Sequence, residues 1–289
     1  MECSVFVPSH ITGFFQIIEN FDPLKKGSKG AGVVMDKGVI THVKTSKIEN
    51  KLDITINGKK DNYNDLITRK TVELLKDTYF FDIGLKIEHE IQVPIGCGFG
   101  TSASCSLGAA LGVSQLLKLP LSFNQIAAVA HHAEVSLGTG LGDLIAETSG
   151  GIVMRLKEGP PGFGKINHVI SKPLYVISKT LGEMDTSSII QDPQHQKKIN
   201  ITGSGMLNKL LMDPRPERFM QLSYEFAKET SLISEEVKEL VDFLNFETLG
   251  ASMAMLGNTA FALSEIPETG LEDAMISRID FCGCKFIEI

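Results

Sequence analysis

Five cysteines in 289 residues, an odd number at scattered positions, exclude a disulfide framework. Cys3, Cys97, Cys105, Cys282 and Cys284 provide one close pair, Cys282-Gly-Cys284. A zinc site asks for two pairs, each two to four residues apart, so these thiols read as structural. Reduced thiols fit a cytoplasmic protein, which is the expected location. Basic charge is also short, with 28 Lys and Arg against 35 Asp and Glu and a net charge of −7. With no basic stripe either, nonspecific nucleic-acid binding is excluded. The opening residues carry Glu2 and lack both a basic start and a cleavage-like site, so no signal peptide is expected. The uncharged run 91–117 is long enough to raise a membrane span. Its first third is rich in Pro and Gly and the rest in Ala, Gly and Ser, which describes a buried core helix and no membrane partner. Internal repeats, low-complexity tracts and long charged tails are missing as well.

What is present suits a globular protein of one large or two ordinary domains, 43% hydrophobic and 22% charged. Strands are expected at 4–7 and 14–19, with a loop at 8–13 between them. A flexible basic loop is expected over Lys25-Lys-Gly-Ser-Lys-Gly-Ala-Gly32, then short strands at 32–35, 39–44 and 53–56 and a tight turn at Asn57-Gly58. Apolar spacing predicts an amphipathic helix over 64–76, and alternation predicts a strand over 84–93. A helix follows at 101–117. Ser122-x-x-Gln125 is a capping box that opens another, to about 137. After the glycine-rich turn 138–142, residues 148–155 read as a turn into a strand. The Pro- and Gly-rich segment 158–164 is the candidate linker, giving domains 1–160 and 161–289. Beyond it, strands are expected at 174–178, 259–263 and 285–289, helices at 214–228 and 234–244, and a short helix near 270–276. The fold class is α+β.

The most informative run is Pro94-Ile-Gly-Cys-Gly-Phe-Gly-Thr-Ser-Ala-Ser104, between the predicted strand and helix. Alternate glycines let backbone approach a ligand without Cβ obstruction. Thr101, Ser102 and Ser104 bring hydroxyls to a helix start whose open N–H groups and dipole favour an anion. This is a phosphate cradle without a lysine. The segment Gly98-Phe-Gly100-Thr-Ser-Ala103 also fits a dinucleotide fingerprint, which would make the protein a nicotinamide-dependent oxidoreductase. Against that, no acidic residue follows until Glu134, and the next element is a helix instead of a second parallel strand. A second constellation is His131-His132-Ala-Glu134-Val-Ser-Leu-Gly-Thr-Gly-Leu-Gly-Asp143. Glu134 lies among small apolar residues, where a carboxylate is costly unless it meets a cation or donors. Adjacent histidines point about 100° apart on a helix, so they make a poor metal pair.

The run 94–103 resembles the central motif of the GHMP small-molecule kinases, Pro-x-x-x-Gly-Leu-Gly-Ser-Ser-Ala, with Phe99 and Thr101 at the Leu and Ser places. The resemblance implies a two-domain GHMP-kinase fold, with a ribosomal-protein-S5-like N-terminal domain and a ferredoxin-like C-terminal domain. It implies that Gly96, Gly98, Gly100, Thr101, Ser102 and Ser104 hold the phosphates of ATP. Glu134 with Ser102 or Ser104 would hold Mg²⁺, and Asp143 would be the base for the acceptor hydroxyl. The family's third motif corresponds to 250–263, which keeps Ser252 and Gly257 and loses the dense glycines. Pro8-Ser-His-Ile-Thr-Gly-Phe-Phe-Gln-Ile17 and Gly27-Ser-Lys-Gly-Ala-Gly32 resemble the archaeal pantoate kinase branch. That branch implies phosphorylation of the primary hydroxyl of pantoate to 4-phosphopantoate, in coenzyme A biosynthesis. Such a small hydroxy-acid partner needs a cation for its carboxylate. Arg155 is the first candidate, and His131, His10, Thr186 and Ser28 are lesser ones, with Ser28 and Lys29 expected to close over the substrate. A kinase for another alcohol, of mevalonate or homoserine type, and a non-catalytic nucleotide-binding protein remain alternatives. A homodimer is compatible with the sequence.

Overall fold

A computed structural model describes residues 2–61, 64–184 and 192–288. β1 (Glu2–Ile18) and β2 (Gly27–Ser46) pair antiparallel from Glu2 opposite Lys44 to Ile18 opposite Gly27. The loops expected at 8–13 and 25–32 are therefore corrected. Register shifts at Pro8/Ser9 and Thr12/Phe14 absorb the proline and glycine, so β1 bends without ending. The basic glycine-rich stretch forms the first part of β2 from Gly27 on, because its residues, all but Lys29 buried, pair with β1 on one side and from Gly30 on with β5 (Ile152–Lys157) on the other.

The far half of β2 pairs with β4 (Gly84–Ile91), and β4 takes β3 (Leu52–Ile56) in parallel. β6 (Lys165–Val169) pairs with β5, and β11 (Lys285–Ile287) closes the outer side of β1. Segment 158–164, expected to be a linker, is the turn of the β5–β6 hairpin. Phe163 and Gly164 donate their N–H groups to the Pro160 carbonyl there. The expected boundary at 160 thus falls inside the first sheet, since Pro and Gly serve a tight hairpin as readily as a linker. The second sheet runs in the order β10 (Met275–Arg278), β7 (Tyr175–Gly182), β9 (Asn258–Ser264) and β8 (Gly250–Met253). The short helix expected near 270–276 is corrected by β10, an edge strand whose pairing with β7 decides its conformation.

Helices α1 (Leu66–Tyr79), α2 (Thr101–Leu116) and α3 (Phe123–Leu137) pack together, with α2 directly on β1 and β2. The expected capping box at Ser122 and Gln125 is present. α2 needs small residues because its backbone touches the sheet. A Cβ on Gly108 would run into the Thr41 side chain, and one on Gly112 would lie 2.5 Å from Val43 Cγ2. A short helix, α4 (Asp143–Glu147), follows α3. α6 (Pro216–Thr230) and α7 (Glu235–Glu247) lie on the second sheet, while α5 (Pro193–Met212) packs against α6 and against β1 and β2 of the first sheet. α5 was not expected from the sequence. Its middle, Thr202-Gly-Ser-Gly205, is a poor helix former, and Gly203 is required because the Phe15 carbonyl occupies the place of its Cβ.

β1 runs through both cores. Val5 and Val7 pack with Leu107, Ala110 and Leu111 of α2. Ile11, Phe14 and Phe15 enter the larger core, where the Phe14 ring lies 6.3 Å from Phe219 and 6.4 Å from Phe226 of α6. Each such buried side chain contributes about 1.5–3 kcal/mol. That rigid packing holds the middle of β1, residues 8–12, under the loop between β4 and α2.

Candidate active site

The β4–α2 loop turns through Gly96, Gly98 and Gly100 at φ of 71°, 87° and 67°. Side-chain-bearing residues resist that left-handed region. Between the glycines, Cys97 and Phe99 are buried in the large core, so apolar anchors hold the loop from below. Phe99 also accepts the His10 backbone N–H through its carbonyl, 3.2 Å away. Gly100 is the N-cap of α2, and Ser104 N–H bonds back to its carbonyl, leaving the first N–H groups of the helix without intrahelical acceptors. These elements form one wall of a cavity of about 770 Å³, a size suited to a small-molecule site. Gly96, Gly98, Gly100, Thr101 and Ser102 all line it, as do Asp143, Arg155 and Ser28.

Three carboxylates converge behind and beside the cradle. Asp143 starts α4 and reaches the cavity. Its Oδ1 accepts from His10 Nδ1 at 2.7 Å and from Thr12 Oγ1 at 3.3 Å. Burial opposes its ionisation, but the His10 contact, the nearby Arg155 cation and the Thr12 hydroxyl outweigh burial and leave the carboxyl below its ordinary range. Glu134, near the end of α3, is almost wholly buried and takes the Thr139 hydroxyl on Oε1 at 2.7 Å. Burial pushes it up to about 7 against the pull of the Thr139 and Ser102 hydroxyls, and the negative charge of Asp143 adds to the rise. Its Oε2 lies against Gly140, where no Cβ intervenes. Glu147, at the end of α4, was missed by sequence reasoning. It is fully buried, and Oε1 sits 2.6 Å from where a Gly100 Cβ would be. Neither carboxylate oxygen has a hydrogen-bond partner among the described residues. Burial, then the charges of Asp143 and Glu134, hold it well above the usual carboxylate range. The available signal was an acid four residues after Asp143 in an apolar run, which places both on one helical face.

The remaining candidates divide into cavity-facing and supporting groups. Arg155, on β5, is fully buried except where it meets the cavity. Its Nη1 points to His10 Nε2 at 3.3 Å and its Nη2 to Thr12 Oγ1 at 3.4 Å, while Nε has no hydrogen-bond partner among the described residues. Ser28 faces the cavity from within β2, and its hydroxyl packs over Gly142. The expected flexible closure by Ser28 and Lys29 is corrected, because both are paired in the ladder with β1. His131 is brought to the back of the wall, where Nε2 donates to the Lys26 carbonyl at 2.9 Å. His10 lies beneath the cavity surface, between Asp143 and Arg155. Ser104 is also behind the wall, directed at the carbonyls of Gly100 and Pro8. Thr186 lies outside the described residues. The paired-histidine metal reading stays unsupported, as His131 is engaged with Lys26.

Segment 250–263 meets the cradle from the second sheet. Thr259 donates its hydroxyl to the Cys97 carbonyl at 2.9 Å, and Met255 N–H donates to the Thr12 carbonyl at 2.9 Å. A Cβ on Gly257 would collide with the Cys97 carbonyl. Met255 and Leu256 complete the cavity wall. This motif therefore props the loop backbone, a task that needs one glycine where the loop is closest.

Known proteins agree with this layout. The family described as GHMP kinases N terminal domain matches residues 65–151, which span α1, the cradle, Glu134, Asp143 and Glu147. The pantoate kinase of Methanocaldococcus jannaschii is 40% identical over 272 residues, covering 94% of this chain and 95% of its own length. That of Thermococcus kodakarensis is 35% identical, covering 95% and 92%. A solved structure described as a phosphotransferase related to the CoA biosynthesis pathway superposes with a TM-score of 0.89 at 32% identity, covering 99% of this chain and 98% of that one. A glycine cradle facing a half-buried aspartate, on a chain so similar to these relatives throughout, makes this protein a kinase that belongs to the pantoate kinase family of the GHMP kinases.

Proposed function

We propose that this kinase transfers the γ-phosphoryl group of ATP to the primary hydroxyl of pantoate, giving 4-phosphopantoate, and that it works in the cytoplasm, where its five free cysteines stay reduced. One observation carries the class of acceptor, an alcohol that bears a carboxylate, and the likeness to pantoate kinases narrows that class to pantoate. Arg155 is a fully buried guanidinium whose Nε has no partner among the described residues, and it borders the same cavity as the cradle and Asp143. A buried cation with an unused donor suits a carboxylate-bearing substrate, which it would grip by two parallel hydrogen bonds. A neutral alcohol would leave that donor unsatisfied in a buried site, at a cost of about 1–3 kcal/mol.

Phosphoryl transfer asks the protein mainly for positioning and charge neutralisation. The amides around Gly98, Gly100, Thr101 and Ser102 supply donors for the β and γ phosphates without a lysine. Asp143, ionised and with Oδ1 already engaged, accepts the proton of the acceptor hydroxyl as the new P–O bond forms and the bond from the γ-phosphorus to the bridging oxygen breaks, releasing ADP. Among the described residues no group of three His, Cys, Asp or Glu is arranged to hold a metal alone. Mg²⁺ with ATP needs only one or two protein carboxylates, and the phosphates complete its shell. Glu134 fits that need, being a buried carboxylate paired with no cation among the described residues and raised in pKa by desolvation, and the Ser102 hydroxyl beside it is a second oxygen donor. When bound, Mg²⁺ would neutralise charge that builds on the phosphates.

An ADP-release assay with ATP and Mg²⁺ on pantoate, mevalonate and homoserine tests the reading. Turnover of pantoate alone, or at least about 100-fold more efficiently than the others, is expected. Preference for either of the other two would reject it. ATP binding with no turnover on any acceptor would support a non-catalytic protein.

A further inference from the structure

Asp143 reaches the cavity with one carboxylate oxygen already occupied, and the groups that occupy it form a closed arrangement. Oδ1 accepts from both His10 and Thr12, while among the described residues no hydrogen bond is directed at Oδ2. On the other side, the two terminal nitrogens of Arg155 reach His10 Nε2 and Thr12 Oγ1. One guanidinium is therefore connected to one carboxylate oxygen by two parallel routes, through an imidazole and through a hydroxyl.

The chemistry of the ends settles the middle. An arginine only donates, so His10 Nε2 must be the accepting nitrogen. An ionised aspartate only accepts, so His10 Nδ1 must carry the hydrogen. The ring fits this role only when neutral. Burial lowers its pKa and the Arg155 charge adds to that, against the opposing pull of Asp143, and these two are the charged groups that act on it. The ring is fixed in position as well. Its own backbone N–H is bonded to Phe99 in the cradle, and its edge fills the space above Gly32, where any side chain would collide with Nε2.

We propose that His10 is a positioning residue, held as the neutral Nδ1–H tautomer by Arg155, that fixes Asp143 through Oδ1 so that Oδ2 is presented to the acceptor hydroxyl. The inference rests on Asp143 being the base in the proposed reaction. His10 would then touch no substrate, and its weight would fall on the transfer step instead of on acid binding.

The tests separate the two ideas. Turnover of pantoate by the unaltered protein reports on the function alone, and the inference is tested with whichever acceptor reacts. His10→Ala should slow single-turnover phosphoryl transfer about 10–100-fold, the value of a hydrogen bond to a buried charge. It should move the acid limb of the pH profile upward, because Asp143 loses a donor that favours its ionised form, and leave ATP affinity within about twofold. His10→Asn places an amide N–H close to the position of Nδ1 and should restore most of the rate and of the acid limb. Nitrogen NMR of the unaltered protein near pH 7 should show a neutral His10 protonated on Nδ1. That measurement decides the matter if the variants fail to fold. An Nε2–H tautomer, or a His10→Ala protein with a raised KM for the acid and an unmoved transfer rate and acid limb, would overturn the proposal.

Discussion

The site is held by single side chains whose burial sets their chemistry. Asp143→Asn keeps the shape and removes the proposed base. Its kcat should fall about 10²–10⁴-fold with nucleotide affinity unchanged, as ADP release and calorimetric titration would show. Retention of full turnover would acquit Asp143. Glu134 gives a second prediction, on stability. Burial lifts its carboxyl from 4.5 to about 7, so between those values the folded protein keeps a proton that the unfolded chain has released. Stability therefore falls as pH rises through that window, by at most about 3 kcal/mol above it. Glu134→Gln removes the penalty, so the ligand-free variant should outlast the parent in urea at pH 8, with the gap closing toward pH 4.5. In the presence of Mg²⁺ and ATP the order should reverse, because the parent gains binding energy that the amide cannot supply. A glutamine variant weaker than the parent at pH 8 would contradict the burial argument. Glu134 and Asp143 were legible in the sequence, as acids in small apolar surroundings at a spacing that matched the cradle. Glu147 was not, because the feature that marks it, a buried carboxyl beneath Gly100 with no hydrogen-bond partner among the described residues, exists only after α4 has packed.

At the level of elements, the cradle depends on a contact made from the second sheet. Gly257 is there because the Cys97 carbonyl lies where its Cβ would be. Gly257→Ala should push β9 and the loop apart, costing about 1–3 kcal/mol of stability and raising KM for ATP more than KM for the acid. Denaturant midpoints and initial rates would measure both, and an unchanged KM for ATP would clear the segment of any part in holding the loop. The elements themselves were unevenly readable. α1, α3, α6 and α7 carry periodicity or caps that act locally, α2 is marked by its uncharged run of small residues after the glycine turns, and β4 carries alternation. β1 and the start of β2 were read as interrupted by Pro8, Gly13 and the glycines at 27–32, because bulges and a partner strand can absorb residues that break an isolated strand. α5 was hidden for the converse reason, since packing on β1 overrides the weak helix propensity of its Gly and Ser residues.

The whole molecule ties its last strand to β1 and to α4, beside the cavity. β11 pairs with β1, Cys284 N–H donates to the Glu147 carbonyl at 3.1 Å, and Gly283 N–H reaches Asp280 Oδ1 at 2.6 Å. Removing residues 283–289 should thus loosen α4 as well as the sheet edge. A loss of about 2–3 kcal/mol and a fall in kcat are expected, read by thermal unfolding and by ADP release, whereas full activity would show that α4 needs no support from that strand. By itself the sequence determined the glycine turns, the hydroxyls at the start of α2 and the two acids that follow, because dihedral preference and helix-end chemistry act over a few residues. Only the tertiary structure decided that His10 and Thr12 of β1 meet Asp143 more than 130 positions away, and that Arg155 closes the group from β5. Such contacts follow from strand register and shared burial, which no short stretch of chain contains.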